Sequence, residues 1–432
     1  MKQNKMRIAV SATNRSSKLR IGLALCVLCA ISIHAEGFRN PPAGSFNLGR
    51  AGGRIAQVED PSAIAENPAN LVDITNVQAQ FTPSIIYIKT EFTSTSGLTA
   101  ETKEPWKLLP NLFISAPVVE GRVSVGLGLT TPYGIENKWD RNSAAFSDPT
   151  SLRYQAPFYA RLLTINTTPT ISIKAADFLT FGAGLDIMWS ELHLKQFYPW
   201  FLGVPGAPDG SLNANASGVG VGANFGATLH LTERQRLAIT ARTPIRIDYD
   251  GHVAVDNVPA VLGGGSIRGE FGTHITFPTI IAGGYGIELN DRIRVEADVE
   301  WLQFSKFDKL PIEGTTARSL GLPAAIPQNW KDTFTVGIAG DWRLDEKWTL
   351  RGGYRFYESP IPDSTFSPTI PDANQNVITL GINFVSGRHS FEGAYGLDFY
   401  DTRNIRNDSN PAFNGKYEIT VHLFSLSYAY SF

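Results

Sequence analysis

Apolar and polar residues alternate along most of this chain. Fourteen segments carry the pattern: about 77 to 92, 106 to 117, 121 to 131, 158 to 174, 178 to 192, 215 to 230, 235 to 252, 270 to 287, 291 to 304, 333 to 343, 346 to 358, 376 to 385, 388 to 400 and 414 to 432. A period of two sends successive side chains to opposite faces of an extended strand, so each segment is predicted to be a β-strand with two chemically different faces. The last is the plainest, with Phe424, Leu426, Tyr428, Tyr430 and Phe432 on one face and Ser425, Ser427, Ala429 and Ser431 on the other. Roughly 9 to 11 residues of tilted strand cross a bilayer. The connections alternate as well. Every second one is short, around Glu120-Gly121, Ala175 to Asp177, Thr232 to Arg234, Asn290-Asp291, Asp345 and Gly387, and those between are long. Short turns at one end, long loops at the other and an even strand count predict an all-β fold: a closed transmembrane antiparallel β-barrel of about 14 strands, both termini periplasmic. Within the last strand the apolar set shifts from odd positions (Tyr417, Ile419, Val421, Leu423) to even ones, which predicts a bulge near Leu423 or an upper half outside the bilayer. A soluble sandwich or propeller is the competing architecture, and no repeat of propeller-like period is present.

The start of the chain reads differently. Lys2, Lys5, Arg7, Arg15, Lys18 and Arg20 precede an apolar run from Ile21 to Ile33 and then His34-Ala35, the pattern of a secretory signal peptide over 1–35. That run is too short for a spanning helix, which needs about 20 residues. Residues 36–76 neither alternate nor suffice for a domain with its own core. They are predicted to lie inside the barrel as an N-terminal plug, with 77–432 as the barrel itself. A fourteen-strand barrel is wider than the eight-strand barrels that side chains alone can fill.

Composition narrows the function classes. Both cysteines, Cys26 and Cys29, lie in the signal segment, so the mature chain is expected to have no disulfide, thiol nucleophile or thiolate metal site. Without that segment 32 Lys and Arg stand against 40 acids, a net charge of −8 that argues against nucleic acid as a partner. No Gly-x-Ser-x-Gly elbow, His-Glu-x-x-His or phosphate loop occurs, and the histidines after position 35 are scattered singly. Neither an enzyme nor a cofactor or metal is expected. A barrel implies outer-membrane lipid around its wall and the barrel assembly machinery as a partner, with a monomer as the expected state.

Two long loops are unusually apolar: Phe197, Tyr198, Trp200, Phe201 and Leu202 in one, and Val258, Val261 and Leu262 in the other. Clustered apolar residues on a water-facing loop usually mark a binding surface, although two such loops can also pack on each other as a lid. Strand periodicity turns Arg242, Arg246, Arg351 and Arg355 inward, together with Arg294, Glu296, Asp298 and Glu300. An arginine on the lipid face at the midplane would cost about 2 to 4 kcal/mol. Inside, its planar fork suits a carboxylate, either a ligand's or a partner's in an ion-pair network. Asn67-Pro68-Ala69 is a rigid local turn, because Asn bonds nearby backbone and Pro restricts φ.

Several further segments, read in order, resemble the FadL family of outer-membrane transporters for long-chain fatty acids, including its aromatic-hydrocarbon branch. They are Gly49-Arg50-Ala51, Asn67-Pro68-Ala69, Pro132-Tyr133-Gly134, Glu296-Ala297-Asp298-Val299-Glu300-Trp301, Trp330-Lys331-Asp332-Thr333-Phe334, Lys347 to Tyr354, Ser359 to Asp363 and Ile370-Pro371-Asp372. At Ala373-Asn374-Gln375 the chain departs from the family, which usually continues with an acid and an arginine. The resemblance implies capture of a hydrophobic molecule, a fatty acid or an aromatic hydrocarbon, on the two apolar loops. The molecule would then enter the barrel, meet the plug, and leave sideways beside a kink in the third strand. Pro132 would remove a ladder donor at that kink and Gly134 would tolerate the bend, with Asn67, Pro68 and Ala69 close by. A general or structural pore of the same fold is the alternative, and it would need neither plug nor apolar loops.

Overall fold

The structure, a computed structural model, describes residues 36–432. The signal-peptide reading of 1–35 lies outside them. Fourteen strands, several interrupted, run in sequence: β1 (Gln78–Phe81 and Ser84–Ser94), β2 (Thr99–Lys103, Trp106–Leu109 and Leu112–Val119), β3 (Val123–Thr130 and Gly134–Trp139), β4 (Tyr159–Ala176), β5 (Leu179–Tyr198), β6 (Gly210–Thr232) and β7 (Gln235–Arg242 and Ile245–Val255). There follow β8 (Ile267–Phe277 and Ile280–Glu288), β9 (Ile293–Leu302), β10 (Thr333–Arg343), β11 (Trp348–Tyr357), β12 (Gln375–Ser386), β13 (His389–Tyr400) and β14 (Gly415–Ser431). Each pairs antiparallel with the next. The ring closes where β14 pairs β1, from Gln78 opposite Ser431 to Ser94 opposite Gly415. Closure removes both sheet edges, which a membrane-embedded sheet requires because lipid offers no hydrogen bonds to unpaired backbone.

Large apolar side chains such as Ile114, Leu127, Leu185, Val221, Ile338 and Leu380 stand exposed on the outside, as a lipid-facing belt demands. Beyond that belt, toward the long loops, the chemistry of the two faces inverts while the register does not. On β14 the pairing with β13 runs without a shift from Tyr430 to Thr420, so no bulge occurs near Leu423. Tyr417, Ile419, Val421 and Leu423 face inward on the same side as Ser425 and Ser427, while Lys416 and Glu418 form an exposed ion pair outside. The apparent phase shift is thus an upper half outside the bilayer, with a packed apolar interior. The same inversion corrects the expectation for Arg246. Past the break at Thr243-Pro244, Ile245, Ile247 and Tyr249 fill the interior and Arg246 points outward, paired at 2.7 Å with Asp248.

The segment from 36 to 76 has little regular structure beyond α1 (Ser45–Arg50), one further helical turn and the 3-10 helix Pro68–Asp73. It lies against inward faces of the barrel strands. Ser45 Oγ bonds Ser425 at 3.0 Å, Thr379 Oγ1 donates to the Gly49 carbonyl at 3.1 Å, and Ser172 Oγ donates to the Ala69 carbonyl at 2.9 Å. Glycines make room for it. A Cβ on Gly52 would overlap the backbone of β10 and β11, and one on Gly182 of β5 would overlap Pro68.

Candidate functional site

Charge holds this segment in place. Glu300 of β9 meets Arg39 at 2.8 Å, Arg54 at 2.7 Å and Arg355 of β11 at 2.7 Å, so three guanidiniums converge on one carboxylate. Arg54 also pairs with Glu66 at 2.7 Å, and its backbone N–H donates to Asp298 at 2.7 Å. Glu296 accepts from the amides of Ile55 and Ala56 and pairs with Arg50 at 3.0 Å. Arg50 and Arg54 are fully buried. Buried charges persist only when paired and hydrogen-bonded, and here each strand acid has a partner in the segment or on a neighbouring strand. The alternation that turned Glu296, Asp298 and Glu300 inward was legible in sequence. That Arg39, Arg50 and Arg54 of a non-periodic segment would answer them was not.

The remaining arginines proposed as carboxylate partners are engaged as well. Arg351 pairs with Glu392 at 2.6 Å and Asp341 at 3.2 Å. Arg242 donates to the Ala65 carbonyl at 3.1 Å and lies 3.5 Å from Asp186.

The Asn67-Pro68-Ala69 turn rests on β4, β5 and β6. Asn67 Oδ1 accepts from the Ala69 amide at 3.0 Å, and its Nδ2 donates to the Ile55 carbonyl at 2.7 Å and to Thr228 at 3.0 Å. A small cavity of about 70 Å³ lies between Pro68 and the Thr131 to Tyr133 stretch of β3.

At that stretch the wall is incomplete. Trp106–Leu109 of β2 pairs with β1 on one side, while Gly134–Trp139 of β3 pairs with β4 and reaches β2 only at Thr102 and Lys103. Below, β2 and β3 pair again from Leu112 opposite Leu129. Between these points the two strands separate, because Pro132 has no N–H to offer the ladder. The N-terminal segment takes over part of the lost pairing: the Asn40 amide donates to Pro132 at 3.0 Å and the Gly134 amide to Phe38 at 2.9 Å. One ion pair, Lys107 to Glu136 at 3.0 Å, spans the separation. A cavity of about 280 Å³ opens here, lined by Trp106 and Leu108, which are exposed on the outer face, and by the interior groups Arg39, Tyr133, Val377 and Tyr400.

Beside it Phe38 sits in an aromatic cage of Tyr133, Phe277, Phe304, Phe307 and Trp330, with ring centroids 5.0 to 5.9 Å away. The preceding amide, Gly37 N–H, donates to Asp372 Oδ2 at 3.1 Å, and Ser359 Oγ donates to the same oxygen at 2.6 Å. Burial pushes the Asp372 carboxyl up to about 6, against the opposing effects of Ser359, Arg403 and the Gly37 amide. No pattern in the sequence marks this cage, because its members come from five separate segments.

In the apolar loops Trp200 and Val258 are buried in one cluster with Leu212 and Val255, and Trp200 Nε1 donates to the Asp256 carbonyl at 3.1 Å. Phe197 lies 5.0 Å from Phe158 in a tilted pair, Tyr198 lies 4.6 Å from Trp200, and Phe201 lies 5.5 Å from Tyr154. Leu202, Val261 and Leu262 remain exposed at 75%, 75% and 55%. The two loops therefore pack together and still present an apolar tip.

The family described as outer membrane protein transport protein (OMPP1/FadL/TodX) matches residues 26–432. The chain is 22% identical to the long-chain fatty acid transport protein of Escherichia coli K12, over 96% of this chain and 98% of that protein. It is also 22% identical to a 47 kDa outer membrane protein of Pasteurella multocida, over 87% and 89%. Among solved structures, a Pseudomonas aeruginosa FadL homologue superposes with a TM-score of 0.78 at 20% identity, over 92% of this chain and all of that one. The Ralstonia pickettii toluene transporter TbuX gives 0.69 at 18%, over 91% and 99%.

Proposed function

This chain belongs to the OMPP1/FadL/TodX family of outer-membrane transport proteins, and we propose that it takes up hydrophobic compounds, with long-chain fatty acids as the substrate class. The observation that carries the reading is the interrupted pairing of β2 and β3, with a cavity that joins interior groups to lipid-facing Trp106 and Leu108. A hydrophobic molecule crossing there never needs to enter water. The exposed tip of Leu202, Val261 and Leu262 supplies the capture surface. Residues 36–76 act as the plug, and the short turns and both termini face the periplasm. A general pore would gain nothing from a plug held by buried ion pairs, an apolar loop tip or a side opening. The long-chain fatty acid transport protein similar along its whole length supports fatty acids.

A second reading rests on the aromatic cage. Phe38 occupies a space shaped for a planar ring, so a monoaromatic hydrocarbon could displace it.

The test uses the absence of cysteine after position 35. Cysteines in place of Lys107 and Glu136, bridged by a short bifunctional maleimide, should stop oleate uptake into cells and leave oleate binding by the purified protein intact. Unchanged uptake through the bridged gap would overturn the lateral route. Solvent extraction and mass spectrometry of molecules that co-purify with the protein would separate fatty acids from aromatics.

A further inference from the structure

The outer face of the wall carries a charged groove that the transport route does not use. Its volume is about 540 Å³, and it lies across the loop ends of β2 to β5, lined by Lys103, Lys138, Arg141, Tyr159, His193 and Lys195. Glu136 lines both this groove and the gap cavity, so the two adjoin. Three acids line the groove, and each already has a lysine: Glu104 with Lys138, Asp140 with Lys103 at 3.3 Å, and Glu136 with Lys107 at 3.0 Å. Among the described residues no carboxylate lies within 4.0 Å of Arg141 or of Lys195, whose ammonium stands 5.8 Å over the Tyr159 ring. Two cations are thus left over, on a chain whose net charge after position 35 is −8. Surplus positive charge gathered at one place on an acidic protein attracts an anion there.

Height above the membrane says which anion. The outward residues of β5 read Leu185 and Ile187 in the apolar belt, then Trp189, then Glu191, His193 and Lys195. Indole rings sit at the boundary between hydrocarbon and head groups, so Trp189 marks the edge of the belt. From Trp189 to Lys195 the strand climbs roughly 20 Å, which at a tilt of about 40° is about 15 Å above that edge. The polar layer on each side of an ordinary bilayer is only about 5 to 8 Å deep. The phosphate of a glycerophospholipid therefore falls short of the groove, whereas a phosphate carried on a sugar reaches it.

Resting on the orientation proposed above, with the long loops outside the cell, we propose that this groove docks a phosphorylated glycolipid of the outer leaflet, its sugar-borne phosphate held by Arg141 and Lys195. The guanidinium fork takes two phosphate oxygens and the ammonium a third. The acyl chains of the same lipid lie below, along the belt beside the gap.

Native mass spectrometry of the full-length mature protein in detergent tests this, with diphosphoryl lipid A and its dephosphorylated form as probes. The wild type should bind the phosphorylated form roughly tenfold more tightly. Arg141→Gln together with Lys195→Gln should erase that preference, while Lys416→Gln, which removes an exposed cation from the outer face of β14, should leave it unchanged. Heat-modifiable mobility on a gel confirms that each variant is a folded barrel. No preference in the wild type, an equal loss in the Lys416 variant, or displacement of lipid A by equimolar inorganic phosphate, phosphatidylglycerol or dodecanoate would overturn the proposal while leaving uptake intact. Orientation has its own readout: Arg141→Cys should react with a membrane-impermeant maleimide on intact cells, and failure to react would overturn the orientation and this proposal with it.

Discussion

Glu300→Gln is the sharpest single perturbation of the proposed plug. Glu300 is the point where Arg39 and Arg54, from the N-terminal segment, and Arg355, from the wall, share one buried carboxylate at 2.7 to 2.8 Å. Removing one partner of a buried pair costs about 3 to 5 kcal/mol, because the remaining charge is left uncompensated. The lower end applies, since each arginine keeps another acid: Glu36 for Arg39, Glu66 for Arg54 and, more remotely at 3.9 Å, Asp298 for Arg355. The loss falls on the junction between segment and wall, so local opening of the segment should rise about a hundredfold for about 3 kcal/mol. Hydrogen exchange at the Arg54 amide reads this directly, because that N–H is bonded to Asp298 on the wall. Ionic conductance in planar bilayers should rise in parallel. Glu418→Gln, which breaks an exposed pair on the outer surface, is the control and should cost no more than about 1 kcal/mol. Unchanged exchange at Arg54 in the Glu300 variant would refute the claim that charge convergence holds the segment.

Gly182→Ala should displace the Asn67-Pro68-Ala69 turn, since the added methyl overlaps Pro68, and destabilise its seat by about 1 to 3 kcal/mol; a crystal structure with the turn unmoved would contradict this. Asp372 links stability to pH. Its folded pKa, about 6, exceeds the ordinary 3.8, so the contribution of the neutral carboxyl is complete below about pH 4 and lost as pH rises through about 6, by up to about 3 kcal/mol. Asp372→Asn should therefore gain on the wild type across that window, as measured by exchange at the Gly37 amide, and a pH-independent difference would count against it. Serine at Leu202, Val261 and Leu262 should raise the half-saturating oleate concentration for uptake several-fold with little change in maximal rate, as expected if these tips capture ligand on the proposed route and do not conduct it. An unchanged half-saturation would remove the loops from the route.

Much of the fold was legible because a membrane barrel imposes one rule on every strand. A period-two pattern, alternating connection lengths and the terminal Phe424 to Phe432 strand located all fourteen strands, and the same rule placed Arg351, Arg355 and the acids of β9 inside. The rule holds only where lipid is outside. Once β7 and β14 rise past the apolar belt, water takes the place of lipid and the interior becomes a packed core, so Arg246 turns out and Tyr417 turns in although the backbone keeps its phase. Periodicity alone cannot register that change of solvent. The site was less legible still. The partners of Glu300, the cage around Phe38 and the separation of β2 from β3 each join residues from distant parts of the chain, and no local pattern encodes such meetings. The sequence by itself determined which faces meet lipid, because that is a local, repeating requirement; only the tertiary structure decided which interior groups meet each other, because closing the barrel is what brings them together.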